Sequence, residues 1–268
     1  MTPEEKIRLD MLLVDKGLFP SREKARAAIM AGEVIVEGRR VEKAGTRVNR
    51  EASIDIKSTS PAYVSRGGLK LEKALQDFNL DVEGKTLLDV GASTGGFSDC
   101  ALKRGAARVF AVDVGYGQLA WSLRQDPRVK NLERLNIRHL TKEALAGAPI
   151  DLALVDVSFI SLRLVFPVLK NLDVPRVLTL VKPQFEAGKG RVGRGGVVRD
   201  PGTHRLVLER VFKEALLQGY HLQNLTYSPI KGPKGNIEYL ALFGRSARLK
   251  NPPIPEKIIA EAHERLQK

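Results

Sequence analysis

Short apolar runs alternate with stretches of helical periodicity from Tyr63 onward, and this alternation limits the fold more than any other feature of the chain. Runs of four or five mostly apolar residues are typical of strands that are buried on both faces of a parallel sheet. Two final runs flank a turn rich in glycine and lysine and predict an antiparallel pair. The sequence therefore predicts an α/β fold, with a doubly wound Rossmann-like sheet and an antiparallel edge. The predicted strands are Thr86 to Val90, Arg108 to Val112, Leu152 to Val155, Val177 to Val181, Tyr220 to Tyr227 and Ile237 to Phe243, and the helical stretches are Phe97 to Lys103, Gly117 to Gln125 and Leu162 to Leu169.

The first 60 residues have a different pattern, in which two helical stretches precede short alternating strands. Ser21 is a candidate N-cap for the second helix, and Gly32 is placed to end that helix. Val34 and Val36 then alternate with polar neighbours. This pattern predicts a small α+β unit, and the polar stretch KSTSP at residues 57–61 is suited to a linker. We therefore expect two domains, residues 1–60 and residues 61–268.

The charge balance favours a polyanionic partner. The chain carries 44 Lys and Arg against 31 Asp and Glu, a net charge of +13, which attracts nucleic acid over distances of about 10 Å. An anionic membrane surface is the alternative, but no segment combines a strong apolar face with a basic face. The N-terminal stretch lacks the apolar core of a secretory signal, and one cysteine excludes an internal disulfide. We expect a cytoplasmic protein in which Cys100 and Trp121 belong to the core.

The segment KTLLDVGASTGGFS at residues 85–98 has the features of a nucleotide-cofactor loop. Asp89 ends a strand two residues before Gly91, and the loop lacks the GxGxxG spacing of a dinucleotide site. A carboxylate at that position would repel a pyrophosphate but can meet the cationic methionine end of S-adenosylmethionine. Asp113 ends the next strand, where a carboxylate can accept both ribose hydroxyls. The predicted residues of the S-adenosylmethionine site are Asp89, Gly91, Ala92, Ser93, Thr94, Gly95, Gly96, Phe97, Asp113, Val114 and Asp156.

Four ionisable residues lie where an open α/β sheet places its chemistry. Asp156 and Lys182 end two apolar strands and should face one crevice, since ligands bind outside the carboxyl ends of parallel strands. Lys70 lies on the first helix after SRGG, and Glu238 begins the last strand. Burial of such groups is costly unless they are paired. These four residues are the candidate catalytic group.

Six motifs in this order resemble the TlyA-type ribosomal RNA methyltransferases: SRGGLKLEKAL, LLDVGASTGGFSD, AVDVGYGQL, DVSFISL, LVKPQFE and GNIEYL. The catalytic domain of that family is related to the FtsJ-type ribose 2'-O-methyltransferases, which use a Lys-Asp-Lys-Glu tetrad. The resemblance places this tetrad at Lys70, Asp156, Lys182 and Glu238 in the same chain order. It also suggests cytidine in ribosomal RNA, within ribosomal subunits, as the substrate.

The N-terminal segment from Arg8 to Val41 is similar to the RNA-binding domain of small-subunit ribosomal protein S-four. Glu37 departs from the Asn or Asp that often precedes glycine in that domain, which can alter the turn there.

The chemistry of methyl transfer to a ribose hydroxyl explains these residue types. The hydroxyl is a weak nucleophile and must lose its proton as it attacks the sulfonium methyl group. We expect Lys182 closest to the 2'-oxygen as base or as stabiliser of the alkoxide, Lys70 to orient the hydroxyl, and the two acids to hold the lysines. No metal is required for this reaction, and His139, His204, His221 and His263 lack the spacing of metal ligands.

Basic residues in both predicted domains are candidates for phosphate contacts with RNA. A glycine-rich basic stretch after Lys182, which also includes Arg199 and Arg205, is expected to form a mobile loop that closes on RNA. With 6% aromatic residues, stacking on bases is expected to contribute little. The candidate RNA-binding residues are Arg8, Arg22, Lys24, Arg26, Arg39, Arg40, Arg66, Lys189, Arg191 and Arg194.

Three other functions remain open at this point. A base methyltransferase should carry an activating cysteine or an Asn-Pro motif, whereas the strand end at residue 156 reads DVSF. A non-catalytic ribosome-assembly factor would bind RNA without affinity for S-adenosylmethionine. A membrane-active hemolysin, a name that the family resemblance also brings, lacks a pore-forming or membrane segment here. The sequence leaves the modified nucleotide, the choice of ribosomal subunit and the oligomeric state undetermined.

Overall fold

A computed structural model describes residues 6–30, 32–56, 62–188, 190–246 and 253–266. The chain divides into two compact units, residues 1–61 and residues 62–268. The predicted linker at residues 57–61 and the predicted RNA-binding Lys189 lie outside the described residues.

The N-terminal unit is a small α+β structure. Its helices are α1 (Leu9–Asp15) and α2 (Arg22–Met30), and its strands are β1 (Lys6–Arg8), β2 (Val34–Val36), β3 (Arg39–Arg40), β4 (Arg47–Asn49) and β5 (Ile54–Ile56). β1 pairs with β4, while β3, β2 and β5 form a second antiparallel sheet. The apolar faces of both helices are buried with Val34 in one core, and Ser21 Oγ accepts a hydrogen bond from Lys24 N at 3.3 Å, as expected of an N-cap.

The turn between β2 and β3 shows how the chain accommodates its unusual glutamate. Glu37 and Gly38 both have positive φ, 49° and 73°, as a two-residue type I′ hairpin turn requires. A glutamate is disfavoured in this conformation. Glu37 Oε1 accepts a hydrogen bond from Ser53 N at 2.6 Å, which ties the turn to the segment before β5. The departure from Asn or Asp therefore leaves the turn in place.

The second unit is built on a seven-stranded mixed sheet with the order β11-β12-β10-β9-β6-β7-β8. The five strands from β10 to β8 in this order pair in parallel, and β12 is antiparallel to both β10 and β11. This is the Rossmann-like sheet with an antiparallel edge that the sequence predicts. The strands are β6 (Thr86–Val90), β7 (Arg108–Val112), β8 (Val129–Leu132), β9 (Leu152–Val155), β10 (Arg176–Val181), β11 (His221–Tyr227) and β12 (Tyr239–Gly244).

Helices cover both faces of this sheet. Leu87 and Leu88 of β6 enter two different apolar cores, because successive side chains of a strand point to opposite faces. α3 and α4 pack into one core, and α6, α8 and α9 pack into the other. The helices are α3 (Gly67–Asp77), α4 (Gly96–Lys103), α5 (Trp121–Arg124), α6 (Phe166–Asn171), α7 (Pro183–Glu186), α8 (Pro201–Leu217) and α9 (Pro255–Leu266), with 3₁₀ turns at Ile137–His139, Leu162–Leu164 and Pro233–Gly235.

The structure corrects three expectations in this unit and adds two elements. The helix expected over residues 117–125 is only the four-residue α5, and the side chain of Trp121 at its start is 74% exposed, because Leu123 is the residue that α5 buries. The assignment of Trp121 to the core is therefore wrong, whereas Cys100 is fully buried. β8 and the 17-residue α8 were not predicted. Arg205 lies in α8 and not in a loop.

Among the described residues, no helix combines the length and the hydropathy that crossing a bilayer requires.

Candidate active site

The topology of the sheet brings the four predicted catalytic residues to one edge. β9 and β10 are parallel neighbours, so Asp156 and Lys182, which follow them, lie at the same end of the sheet. β12 runs the other way, and its first residue, Tyr239, pairs with Val181 at the end of β10. Glu238, one residue earlier, therefore lies beside Lys182.

The four side chains form two ion pairs. Lys70 Nζ lies 2.6 Å from Glu238 Oε2, and Lys182 Nζ lies 2.6 Å from Asp156 Oδ1. Side-chain exposure is 10% for each lysine, 0% for Glu238 and 21% for Asp156, so each buried charge has a partner. The Lys182 to Asp156 contact has the distance of an ion pair without the angles of a hydrogen bond, whereas Lys182 Nζ donates to Ser158 Oγ at 2.9 Å.

Two further side chains support the ion pairs, although they are not among the residues predicted from the sequence. Ser158 accepts the hydrogen bond from Lys182, and Gln184 Nε2 donates to Glu238 Oε1 at 3.2 Å. Both lie two residues after a tetrad member, in the motifs DVSF and KPQF, which is the signal that could have revealed them. Gly232 completes the support, because a Cβ atom there would lie 2.1 Å from Glu238 Oε1.

A cavity of about 570 Å³ opens over the tetrad. Lys70, Asp156 and Lys182 line it, and Glu238 lies beneath Lys70. Arg66, a predicted RNA-binding residue, lines the same cavity and donates from Nη2 to Lys231 O at 2.9 Å. The remaining lining includes Asp89, Gly91, Ala92, Ser93, Thr94, Gly96 and Phe97 from the predicted cofactor loop.

Asp89 is the most unusual acid of the site. Its side chain is fully buried, and Oδ2 accepts hydrogen bonds from Ser98 N at 3.0 Å and from Ser98 Oγ at 2.6 Å. Oδ1 has no hydrogen-bond partner in the described part of the chain. Burial raises the pKa of Asp89 to about 7, with a smaller contribution in the same direction from the charge of Asp156. A buried carboxylate with an unpartnered oxygen is suited to a cationic ligand.

A second cavity, of about 680 Å³, adjoins the first and shares Gly91, Ser93, Asp156 and Ser158 with it. Its walls are mostly apolar and include Asp113 and the exposed Val114, both predicted cofactor residues. Asp113 Oδ2 accepts a hydrogen bond from Ser93 N at 2.8 Å, and Oδ1 accepts one from Gly115 N at 2.7 Å.

The loop after β6 lines both cavities. Its glycines allow the loop to lie close to neighbouring groups of the protein. Gly91 has a φ of +84°, and a Cβ atom on it would lie 2.5 Å from Asp156 O. Gly95 lines neither cavity: it caps α4 with a φ of +97°, and a Cβ atom there would lie 2.2 Å from Leu123 Cδ1. These residues fit S-adenosylmethionine, because the mostly apolar second cavity is suited to an adenosine and the buried Asp89 carboxylate is suited to a cationic group.

The predicted RNA-binding residues of the N-terminal unit have different environments. Arg8 Nε and Arg22 Nη2 each lie 3.0 Å from a carboxylate oxygen of the buried Asp10, which holds α1, α2 and β1 together. The hydrogen bond from Arg8 lowers the pKa of Asp10 to about 2, and Arg22 adds to this effect. Arg40 pairs with Glu42. Lys24, Arg26 and Arg39 are exposed, as are Arg191 and Arg194 in the second unit.

The histidines have no common metal site. His204 is buried, where Nδ1 contacts Tyr239 Oη at 2.6 Å and Nε2 contacts Val198 O at 3.0 Å. In the ranges that the structure describes, no three His, Cys, Asp or Glu residues are grouped so that they could hold a metal ion.

Comparisons with known proteins identify the family of each unit. A family model of FtsJ-like methyltransferases matches residues 63–245, and a model of the S4 domain matches residues 7–54. The chain is 48% identical over 270 residues to the Bacillus subtilis protein YqxC, which covers 98% of this chain and 96% of that protein. It is also 48% identical over 238 residues to the 16S/23S rRNA (cytidine-2'-O)-methyltransferase TlyA of Mycobacterium tuberculosis, with 87% of each chain covered.

A solved structure from Streptococcus thermophilus that bears the name hemolysin superposes with a TM-score of 0.75 at 43% identity and covers 98% of both chains. The match to the methyltransferase model spans the tetrad, both cavities and the sheet that positions them. The chain therefore belongs to the FtsJ-like methyltransferase family and carries an S4 domain at its N-terminus.

Proposed function

We propose that this protein transfers the methyl group of S-adenosylmethionine to the 2'-hydroxyl of a cytidine in ribosomal RNA. The observation that carries the proposal is the pairing of two nearly buried lysines with two acids at one cavity, beside a cavity suited to adenosine. The name of the M. tuberculosis relative supports the choice of ribose and of cytidine.

Lys182 has the central role in this mechanism. We place its Nζ atom against the 2'-oxygen, where Asp156 and Ser158 hold it. S-adenosylmethionine supplies a methyl group that its sulfonium already activates. Lys182 would accept the hydroxyl proton, or stabilise the developing alkoxide, as the oxygen takes up the methyl group and the cofactor leaves as a neutral thioether. Asp156 holds the Lys182 ammonium in place.

Lys70 orients the reacting hydroxyl from the other side of the cavity. Glu238 holds Lys70 through Oε2 and is itself held by Gln184 through Oε1. Both oxygens of the Glu238 carboxylate are therefore restrained, and Lys70 is held in one position. Because Lys70 is already held, little side-chain entropy is lost when the substrate binds.

The partner in this proposal is ribosomal RNA within ribosomal subunits, and the location is the cytoplasm. Residues 1–60 are the proposed RNA-binding domain, and residues 61–268 are the proposed methyltransferase domain. The match to the S4 model supports the first assignment, and the net charge of +13 favours a polyanion. The proposed phosphate contacts come from exposed residues, which include Lys24, Arg26, Arg39, Arg66, Arg191 and Arg194.

The Lys182→Ala variant tests the proposed chemistry. We expect the single-turnover rate of methyl transfer to fall by about 100-fold or more, because general-base assistance is worth about 10²–10⁴ in rate. Binding of S-adenosylmethionine, measured by calorimetry, should remain close to that of the unaltered protein. Lys170→Ala, which removes an exposed lysine on α6, is the matched control. A Lys182→Ala rate within about threefold of the control would remove Lys182 from the mechanism.

A further inference from the structure

A third cavity, of about 410 Å³, lies next to the active site and is lined by basic residues. Arg199, Lys231, Lys234 and His263 line it, and no acidic residue does. It shares the loop 231–235 with the tetrad cavity: residues 230–233 line the tetrad cavity, and Lys231, Lys234 and Gly235 line this one. Lys231 therefore borders both cavities.

Three of these basic residues have no acidic partner. In the part of the chain that the structure describes, Arg199, Lys231 and Lys234 form no ion pair. The neighbouring Asp200 serves another purpose, since its Oδ2 accepts from Thr203 N at 2.8 Å and from Thr203 Oγ1 at 2.7 Å and caps α8. Three unpaired positive charges around one concave site attract anions.

The walls of this cavity are held in place by a buried asparagine. Asn236 is 2% exposed, and its Oδ1 accepts from Val198 N at 3.0 Å. Its Nδ2 donates to Gly196 O at 3.0 Å and to Pro233 O at 3.2 Å. One side chain thus joins the loop that carries Arg199 to the loop that carries Lys231 and Lys234. The backbone that carries these basic residues is therefore held in place before any ligand binds.

The backbone conformation of Lys234 also points to a functional role. Its φ is +59°, a left-handed conformation that a lysine adopts at a cost. Asn or Gly would fit this turn better. Strained residues of this kind concentrate at ligand sites, where the side chain matters more than the local backbone energy.

We infer that this cavity binds a backbone phosphate of the substrate RNA, next to the nucleotide whose ribose enters the tetrad cavity. The inference rests on the proposed function, since it needs a polynucleotide substrate. A nucleic acid carries one phosphate per nucleotide, and Lys231 borders both cavities, so a strand with its ribose at Lys182 would bring a neighbouring phosphate close to the third cavity. The phosphate fixes the register of the strand without reading its sequence.

Binding of transcribed small-subunit ribosomal RNA at several salt concentrations tests this inference. Lys234→Asn removes the charge with a residue that suits the left-handed turn, and Arg199→Gln removes the second charge. Each should weaken RNA binding about three- to tenfold and reduce the slope of log K against log salt by about 1. Lys234→Arg should bind as the unaltered protein does, and Lys170→Asn is the control for loss of an exposed lysine.

The same preparations separate this inference from the proposed function. Affinity for S-adenosylmethionine and the single-turnover rate at saturating RNA should change less than about twofold in Lys234→Asn and Arg199→Gln, because neither residue lines the tetrad cavity. If both variants bind RNA with the affinity and salt slope of Lys170→Asn while the unaltered protein methylates RNA, the phosphate site is disproved and the proposed function stands. If the unaltered protein binds RNA but methylates none, the proposed function fails. RNA binding by Lys234→Asn and Arg199→Gln, compared with that by Lys170→Asn, then decides whether the cavity binds a phosphate.

Discussion

Single residues set the electrostatics of the site, and Asp89 is the clearest case. Burial raises its pKa to about 7, because the two hydrogen bonds from Ser98 to Oδ2 compensate the ionised form only in part and Oδ1 has no partner among the described residues. A cationic ligand compensates the ionised form only. Affinity for S-adenosylmethionine should therefore depend on pH near neutrality.

We expect binding of S-adenosylmethionine to strengthen about tenfold from about pH 6 to pH 8, as Asp89 goes from mostly protonated to mostly ionised. Asp89→Asn should bind more weakly at pH 8 and lose most of this pH dependence. Calorimetric titration at several pH values measures both effects. An unaltered pH dependence in Asp89→Asn would assign it to another group.

Burial of the Lys70 to Glu238 ion pair costs free energy, and substitutions of one or both residues measure that cost. Glu238→Leu leaves a buried ammonium without its partner, and such a loss is worth about 3–5 kcal/mol in the free energy of unfolding. Lys70→Met/Glu238→Leu removes both charges and should recover most of that stability, while methyl transfer stays lost in both variants. Urea denaturation and a labelled-methyl assay measure the two properties. A double variant no more stable than Glu238→Leu would show that the ion pair is not what the single substitution disrupts.

At the scale of elements, two loops matter more than any helix. The loops at residues 193–199 and 231–236 carry basic residues to the edge of the active site, and Asn236 joins them by two hydrogen bonds, to Val198 N and Gly196 O. Asn236 is two residues before Glu238, so the same segment positions a tetrad member. Loss of this side chain should disturb RNA binding before it disturbs the cofactor site.

Asn236→Ala should lower the free energy of unfolding by about 1–3 kcal/mol, because Val198 N and Gly196 O lose their partner in a buried setting. It should also weaken RNA binding and leave affinity for S-adenosylmethionine nearly unchanged. Asn171→Ala, at an exposed position that ends α6, is the control. If RNA binding by Asn236→Ala equals that of the control, the loops do not depend on this residue.

The strands and helices also show which features of the fold and the site could be predicted from the sequence. Asp156 and Lys182 were predicted at one edge because the carboxyl ends of neighbouring parallel strands must meet. The supporting contacts of Ser158 and Gln184 depend on side-chain conformations that periodicity does not encode. α8 was missed because the glycine-rich basic stretch before it suggested a loop, although Asp200 and Pro201 are a strong N-terminal signal.

At the scale of the whole molecule, the chain combines exposed basic residues with buried ion pairs. The interaction energies of these two groups depend differently on salt. The N-terminal unit is matched by the S4 model and the second unit by the FtsJ-like model. In the proposed function, exposed basic residues of both units position the RNA by phosphate contacts that weaken with salt, while the buried ion pairs of the second unit carry the chemistry. Binding and catalysis should therefore respond differently to ionic strength.

The most direct measurement is mass-spectrometric mapping of nucleosides from unmodified ribosomal subunits after incubation with the protein and isotopically labelled S-adenosylmethionine. The proposed function predicts labelled 2'-O-methylcytidine and none with Lys182→Ala under the same conditions. Label on a nucleobase, or no label in RNA under conditions where the protein binds both RNA and S-adenosylmethionine, would contradict methyl transfer to ribose.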